Sequence, residues 1–336
     1  SDIHLKENAP IFFRVAGKLI PVQDEILSAE SARAILKAIL PPHAISQFQK
    51  EKEADFSYHA PGIGRFRVNV FQQRGELSFA LRHVKTAVPT LESANLPPLL
   101  HKLVVASNGI VLICGATGSG KSTTMAALVN CINSSERLHI VTLEDPIEYV
   151  FEDKQSIINQ REIGLDTLSF KNALTAAMRQ DPDVVVIGEM RDAHSVMAAM
   201  SAAETGHLVI STLHSSTAPQ AVTRIMDFFP GEEREQVLKQ MAYVLRAVLC
   251  QRLVPAIGGG GVLPALEIMI NTPTIRKLLY EGRLDKLGAA IETGGEDGMQ
   301  NFNQAILTLI NEKKVSVEEG LAHASNPEAL KMKLKG

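Results

Sequence analysis

The rhythm of hydrophobic and polar positions changes along the chain, and those changes divide it. Up to about residue 85 the patterns are short and mixed, which predicts a small α+β domain. Ile11-Phe12-Phe13-Arg14-Val15 and Lys18-Leu19-Ile20 flank Ala16-Gly17, a predicted hairpin. Ser31 to Leu40 has helical spacing and stops at Pro41-Pro42. Gly64 to Phe71 alternates: Phe66, Val68 and Val70 share one face, and Arg65, Arg67 and Asn69 the other. Ser78 to Val84 continues in that style, with Arg74 between the two runs. Residues 86–98 carry Pro89, Pro97 and Pro98 among small polar residues and read as a linker. From residue 99 to 336 strand and helix patterns alternate, which predicts an α/β domain with a mostly parallel sheet. Gly258 to Gly261 reads as a hairpin tip, with Pro255 and Pro264 favouring edge positions, and from about residue 272 the pattern is helical.

One stretch organises the second domain. Gly115-Ala116-Thr117-Gly118-Ser119-Gly120-Lys121-Ser122 matches G-x-x-x-x-G-K-[ST], a phosphate-binding loop. Its flanks are the required ones. Ile110 to Cys114 is a β-branched apolar run that predicts a buried strand, and Ser122-Thr123 onward predicts a helix. The glycines let backbone N–H groups turn toward phosphate oxygens, and the helix N-terminus adds partial positive charge. Lys121 can reach the β- and γ-phosphates of ATP, and the Ser122 hydroxyl can ligate Mg²⁺.

In an open parallel sheet, ligands bind beyond the carboxyl ends of the strands. His139 to Leu143 predicts a second strand, ending in Glu144-Asp145-Pro146-Ile147-Glu148. Val184 to Ile187 predicts a third, ending in Gly188-Glu189-Met190-Arg191-Asp192. Leu208 to Ser211 predicts a fourth, bracketed by His207 and by Thr212 and His214. These ends are expected to converge on the triphosphate. Phosphoryl transfer to water needs a Mg²⁺ shell, a carboxylate that orients water, and positive charge on the transferring group. Glu189 suits the Mg²⁺ or its water, and Glu144 suits the base. Each could instead satisfy the free N–H groups of a helix start. His207 and His214 could sense the γ-phosphate or be structural.

Composition narrows the class. The chain has 336 residues, 45% hydrophobic, enough for a sizeable core. The formal net charge of −3 gives no support to non-specific nucleic-acid binding, and no nucleic-acid partner is expected. The three cysteines form no C-x-x-C pair, which argues against a zinc site or a disulfide framework. With no long apolar run and no signal peptide, a cytoplasmic location is expected. The chain opens at Ser1 in what reads as a strand edge, which points to a native N-terminus upstream. The arginines of the first domain, Arg65, Arg67, Arg74 and Arg82, read as a solvated strand face or as arginine fingers reaching phosphate. An arginine supplied in trans can raise phosphoryl-transfer rates about 10³–10⁵-fold, so a neighbouring subunit completing the site would couple hydrolysis to domain motion.

The motifs are specific enough to mark a resemblance. Gly115 to Ser122, Leu143 to Glu148, Val186 to Asp192, and Ala203 to Leu208 with Thr212 to His214 resemble the Walker A, Asp box, Walker B and His box of the secretion ATPases of types II and IV. Within them the chain is most similar to the type IV pilus retraction branch. Asn159-Gln160-Arg161-Glu162 and Gly298-Met299-Gln300 also fit, and Pro273 to Leu279 resembles a C-terminal element of that branch, with changes. The resemblance implies a PAS-like N-terminal domain joined to a RecA-like ATPase domain, and a homo-hexameric ring at the inner-membrane pilus base with ATP between subunits. It implies an inner-membrane platform protein as partner and allows a paralogous retraction ATPase. By motif position, Glu144 resembles the catalytic base, Glu189 the Walker B glutamate, and His207 and His214 the His-box residues. Arg67 and Arg82 lie in the region that supplies the family's arginine contacts. Gly188 stands where many phosphate-loop enzymes have Asp, a family feature that leaves Mg²⁺ more dependent on Ser122 and water. The missing four-cysteine zinc element favours retraction over assembly. The tail from Glu318 to Ala324, however, resembles the accessory paralogue of the retraction branch, which leaves a ring subunit with little turnover of its own as the alternative.

Overall fold

The structure is a computed structural model and describes residues 2–15, 18–84, 87–105 and 108–335, without the side chains of 23 and 24. The chain divides into two compact units. The first comprises residues 1–87 with 145–150 and 161–169, and the second comprises 88–144, 151–160 and 170–336.

In the first unit the strands are β1 (Asp2–Lys6), β2 (Pro10–Val15), β3 (Lys18–Ile26), β4 (Glu53–Ala60), β5 (Gly64–Gln73) and β6 (Glu76–His83), and two helices, α1 (Ala29–Ile39) and α2 (Pro42–Glu51), interrupt them. They form an antiparallel sheet in the order β3-β2-β1-β6-β5-β4. The alternation in β5 has the expected consequence: Phe66, Val68 and Val70 are buried in a core with Phe79, Leu81, Ala32 and Ala44. The predicted turn at Ala16-Gly17 lies outside the described residues, while β2 and β3 on either side pair antiparallel. Pro41-Pro42 does more than stop a helix. Pro42 opens α2 at its first position, where a missing N–H costs nothing.

The second unit contains α3 (Leu99–Val104), β7 (Gly109–Cys114), α4 (Lys121–Ser135), β8 (His139–Glu144) and all but the last two residues of β9 (Ile157–Glu162), Arg161 and Glu162 belonging to the first. There follow α5 (Phe170–Ala177), β10 (Val184–Ile187), α6 (Ala193–Glu204), β11 (Leu208–Leu213), α7 (Ala218–Asp227), α8 (Gly231–Val244), β12 (Leu245–Pro255) and β13 (Val262–Ile270). The helical end holds α9 (Pro273–Tyr280), α10 (Leu287–Thr293), α11 (Phe302–Asn311), α12 (Val317–His323) and α13 (Pro327–Lys335). The sheet order is β13-β12-β7-β11-β10-β8-β9. Strands β12, β7, β11, β10 and β8 are parallel, and β13 returns antiparallel at the edge, where Pro264 needs no outward N–H partner. β9, a polar edge strand, has no counterpart in the hydrophobic periodicity. Every residue of β7, β10 and β11 is buried, as expected for strands covered on both faces. On one face Val111, Ile113, Ile140, Val186 and Ile210 pack against Leu128 and Ile132 of α4 and Leu100 and Leu103 of α3. Each such aliphatic side chain contributes about 1.5–3 kcal/mol by leaving water. Among the described residues no helix is long and apolar enough to cross a membrane.

Candidate active site: the phosphate loop and two strand-end carboxylates

The loop begins where β7, the strand between β12 and β11, ends. Gly115 has φ +155°, and a Cβ there would collide with Ser119 Oγ and lie 2.8 Å from the Gln251 carbonyl oxygen. Gly120 has φ +86° and stands at the N-cap of α4, where a Cβ would lie 2.7 Å from Gln251 Nε2. Both positions therefore need glycine for conformation and for space. Lys121 opens α4, and its ammonium donates to the carbonyls of Gly115 (2.9 Å) and Ala116 (3.0 Å), so it lies across the loop. Ser122 and Thr123 follow in the first turn, half-buried. Ala116, Thr117 and Gly118 are exposed at the loop crest.

Glu144 is the last residue of β8 and is buried. Its Oε1 accepts from Thr142 Oγ1 (2.6 Å) and from Gln160 Nε2 (3.1 Å). Thr142 precedes it by two residues, on the same face of the strand. That face also carries Ile140, packed on the α4 side, so Glu144 and the loop helix share one side of the sheet. Glu189 follows β10 and binds Arg191 Nε (2.8 Å) and His214 Nε2 (3.2 Å). The strand ends beneath it are tied together: Thr212 Oγ1 donates to the Gly188 carbonyl (2.6 Å), and the Met190 N–H donates to the Thr212 carbonyl (3.0 Å). With strands about 4.8 Å apart, Glu189 stands about 10 Å and Glu144 about 14 Å across from β7.

The helix-start reading of Glu189 is answered by its neighbour. Asp192 is the N-cap of α6, accepting from the Ser195 N–H (2.8 Å) in a capping box, and that backbone hydrogen bond holds its carboxyl below the usual range. No helix starts at Glu144; β9 is the next element.

His214 joins the strand ends as expected, but His207 does not, which corrects one expectation. His207 precedes β11, and its carbonyl accepts from the N–H of Gly109, the first residue of β7, whereas the loop follows the last. A six-residue strand, about 20 Å, separates it from that end. Its Nδ1 lies 3.1 Å from Thr205 Oγ1 and 2.9 Å from the Ala202 carbonyl. The physical reason is strand direction: residues before and after one strand lie at opposite ends of it, and in a parallel sheet all the strands share those two ends.

The arginines of the first unit differ among themselves. Arg65 Nη2 is bonded to Glu162 Oε2 (2.8 Å), and this carboxylate also takes Ser57 Oγ (2.5 Å) and the Ile147 N–H (3.0 Å). Arg65 is thus a structural ion-pair partner. Arg74 sits with positive φ in the turn between β5 and β6. Arg67 and Arg82 are exposed register partners on adjacent strands, with Asp2 bonded to Arg82 (2.8 Å).

Gln251 and Thr142 take part in the site without having stood out in the sequence, whereas Gln160 stood there within the segment from Asn159 to Glu162. Gln251 left only a trace, an amide inside the apolar run from Leu245 to Val254.

Fold and site together define a RecA-like phosphate-loop ATPase. The chain belongs to the type II/IV secretion system protein family, which matches residues 1–260. It is 38% identical to the type IV pilus ATPase PilU of Pseudomonas aeruginosa over 335 residues, covering 100% of this chain and 88% of that protein. It is 39% identical to the type IV pilus retraction ATPase PilT of the same organism over 328 residues, covering 98% of this chain and 95% of the other. A crystal structure of the pilus retraction motor PilT with bound ADP superposes with a TM-score of 0.91 at 39% identity, covering 99% of this chain and 95% of that one. The resemblance read from the motifs is therefore borne out over the whole length.

Proposed function

We propose that the chain is an ATP-hydrolysing motor of type IV pilus retraction, which removes pilin subunits at the pilus base and so drives twitching motility. The observation that carries this reading is the similarity over nearly the full length of both chains to the Pseudomonas aeruginosa retraction ATPase. Residues Gly115 to Thr123 hold the phosphates of ATP, and Lys121 exchanges its two loop carbonyls for β- and γ-phosphate oxygens. Glu144 orients the attacking water and accepts its proton. His214 and Arg191 fix the Glu189 carboxylate. The oxygen donors Ser122 and Glu189 suit a Mg²⁺ ion, which when bound neutralises charge on the phosphates. The working form is a homo-hexameric ring at the inner membrane against a platform protein, in which Arg67 and Arg82 bring positive charge to a neighbouring subunit's nucleotide. His207 has no part in the nucleotide site of its own subunit.

A second reading is an accessory ring ATPase with little independent turnover, supported by the equally extensive similarity to PilU. Deleting the gene in the source organism tests both. Abundant surface pili with lost twitching is the expected result, and a bald cell would mean assembly and overturn the proposal. Phosphate release by the purified full chain separates the readings: sustained turnover favours the motor, and nucleotide binding without turnover favours the accessory subunit.

A further inference from the structure

We infer that Gln251 is a positioning residue for phosphate binding: it sets the shape of the nucleotide loop from the neighbouring strand. The inference rests on the reading of Gly115 to Ser122 as a phosphate loop. β12 runs beside β7, with Cys250 level with Cys114, so Gln251 lies level with the loop's first residue. Its side chain is buried and makes two bonds at once. Oε1 accepts from Thr124 Oγ1 (2.6 Å), and Nε2 donates to the Ser119 carbonyl (2.7 Å). The orientation of the amide follows from chemistry. A carbonyl can only accept, so the NH₂ end must face Ser119 and the oxygen must face the Thr124 hydroxyl.

The consequence runs through peptide geometry. In a trans peptide the C=O and the following N–H point in opposite directions. Holding the Ser119 carbonyl against β12 therefore turns the Gly120 N–H away from β12, toward the open side of the loop. That N–H immediately precedes Lys121, where phosphate oxygens are read. The Ser119 hydroxyl does not compete for this role: it is buried with no hydrogen-bond partner among the described residues. Thr124, one turn into α4, supplies the second fixed point, so loop and helix are referenced to the same amide. The Gln251 side-chain amide also crowds Gly120, where a Cβ would lie 2.7 Å from Nε2.

The test measures ADP affinity by titration calorimetry and thermal stability without nucleotide, on the full chain. Gln251→Met keeps the volume and removes both bonds. It is expected to weaken ADP binding at least tenfold and to lower the melting temperature, because the Ser119 carbonyl and Thr124 hydroxyl lose their partner. Gln251→Met combined with Thr124→Val removes the stranded hydroxyl as well. The double variant is expected to regain stability while its ADP affinity stays at least tenfold down, because the Ser119 peptide remains unanchored. ADP affinity within twofold of the parent in Gln251→Met, or affinity returning together with stability in the double variant, would overturn the inference. If Gln251→Met does not fold, the double variant decides alone. Failure of the parent chain to bind ADP, or tight binding by Lys121→Ala, would instead sink the phosphate-loop reading.

Discussion

Replacing Glu144 with Gln isolates one proton acceptor. Two donors to this carboxylate meet the same oxygen, Oε1, at 2.6 Å from Thr142 and 3.1 Å from Gln160. A glutamine can present its carbonyl oxygen to the same two donors, so the side chain keeps its place. The bonds change from a charged to a neutral acceptor, a stability loss of about 1–2 kcal/mol in total. The catalytic loss is larger. Removing a positioned base costs about 10²–10⁴-fold, equivalent to about 3–5 kcal/mol of barrier. The nucleotide phosphates are held by the loop and not by Glu144, so ADP affinity stays within about threefold. The assay is phosphate release at saturating ATP by purified full-length chain, with ADP binding and melting temperature measured on the same samples. Turnover within tenfold of the parent, with binding and stability retained, would refute the assignment of the base. A fall in ADP affinity parallel to the fall in rate would refute the argument that Glu144 acts on water alone.

Other outcomes follow from single contacts. Gly120→Ala places a Cβ at φ +86°, about 1–2 kcal/mol of backbone strain, and pushes the Gln251 amide from the Ser119 carbonyl, so ADP binding is expected to weaken more than tenfold by calorimetry. Asp192→Ala removes the α6 cap and is expected to cost about 0.5–2 kcal/mol in urea unfolding at neutral pH, with Asp192→Asn costing less. Burial raises the Glu267 carboxyl above its ordinary 4.5, against the Ala218 N–H and the Arg252 charge, which lower it. The folded state then holds the proton more tightly than the unfolded chain. This group's contribution to stability is fully present below pH 4.5 and declines as pH rises to the raised folded value. Glu267→Gln keeps an acceptor for Ala218 N and avoids that decline, so it is expected to be at least as stable as the parent at pH 7 and to lose its relative advantage toward pH 4. A Glu267→Gln variant markedly less stable at pH 7 in denaturant titration would show that the charge is favourable there.

Local chemistry made much of this protein legible. The loop from Gly115 to Ser122 is a contiguous motif whose glycines answer local backbone demands, and the β-branched run Val184 to Ile187 is the buried strand it resembles. The face of Phe66, Val68 and Val70 followed from a period of two. Such features depend on residues a few positions apart, so the order of residues suffices. Tertiary structure decided what depends on distant segments meeting. The bonds of Gln251 to Thr124 and Ser119 span 127 and 132 residues. Strand order put β12 beside β7, and no periodicity within either strand encodes that pairing. Strand direction placed His207 at the amino ends of the parallel strands and His214 at the carboxyl ends. The fold also divided the arginines, giving Arg65 to Glu162 while leaving Arg67 exposed, although both stand on one face of one strand. Sequence order by itself determined the phosphate loop and the strands that carry the carboxylates. The packing of remote strands determined which side chains hold them, because a hydrogen bond requires atoms to meet in space, whatever their separation along the chain.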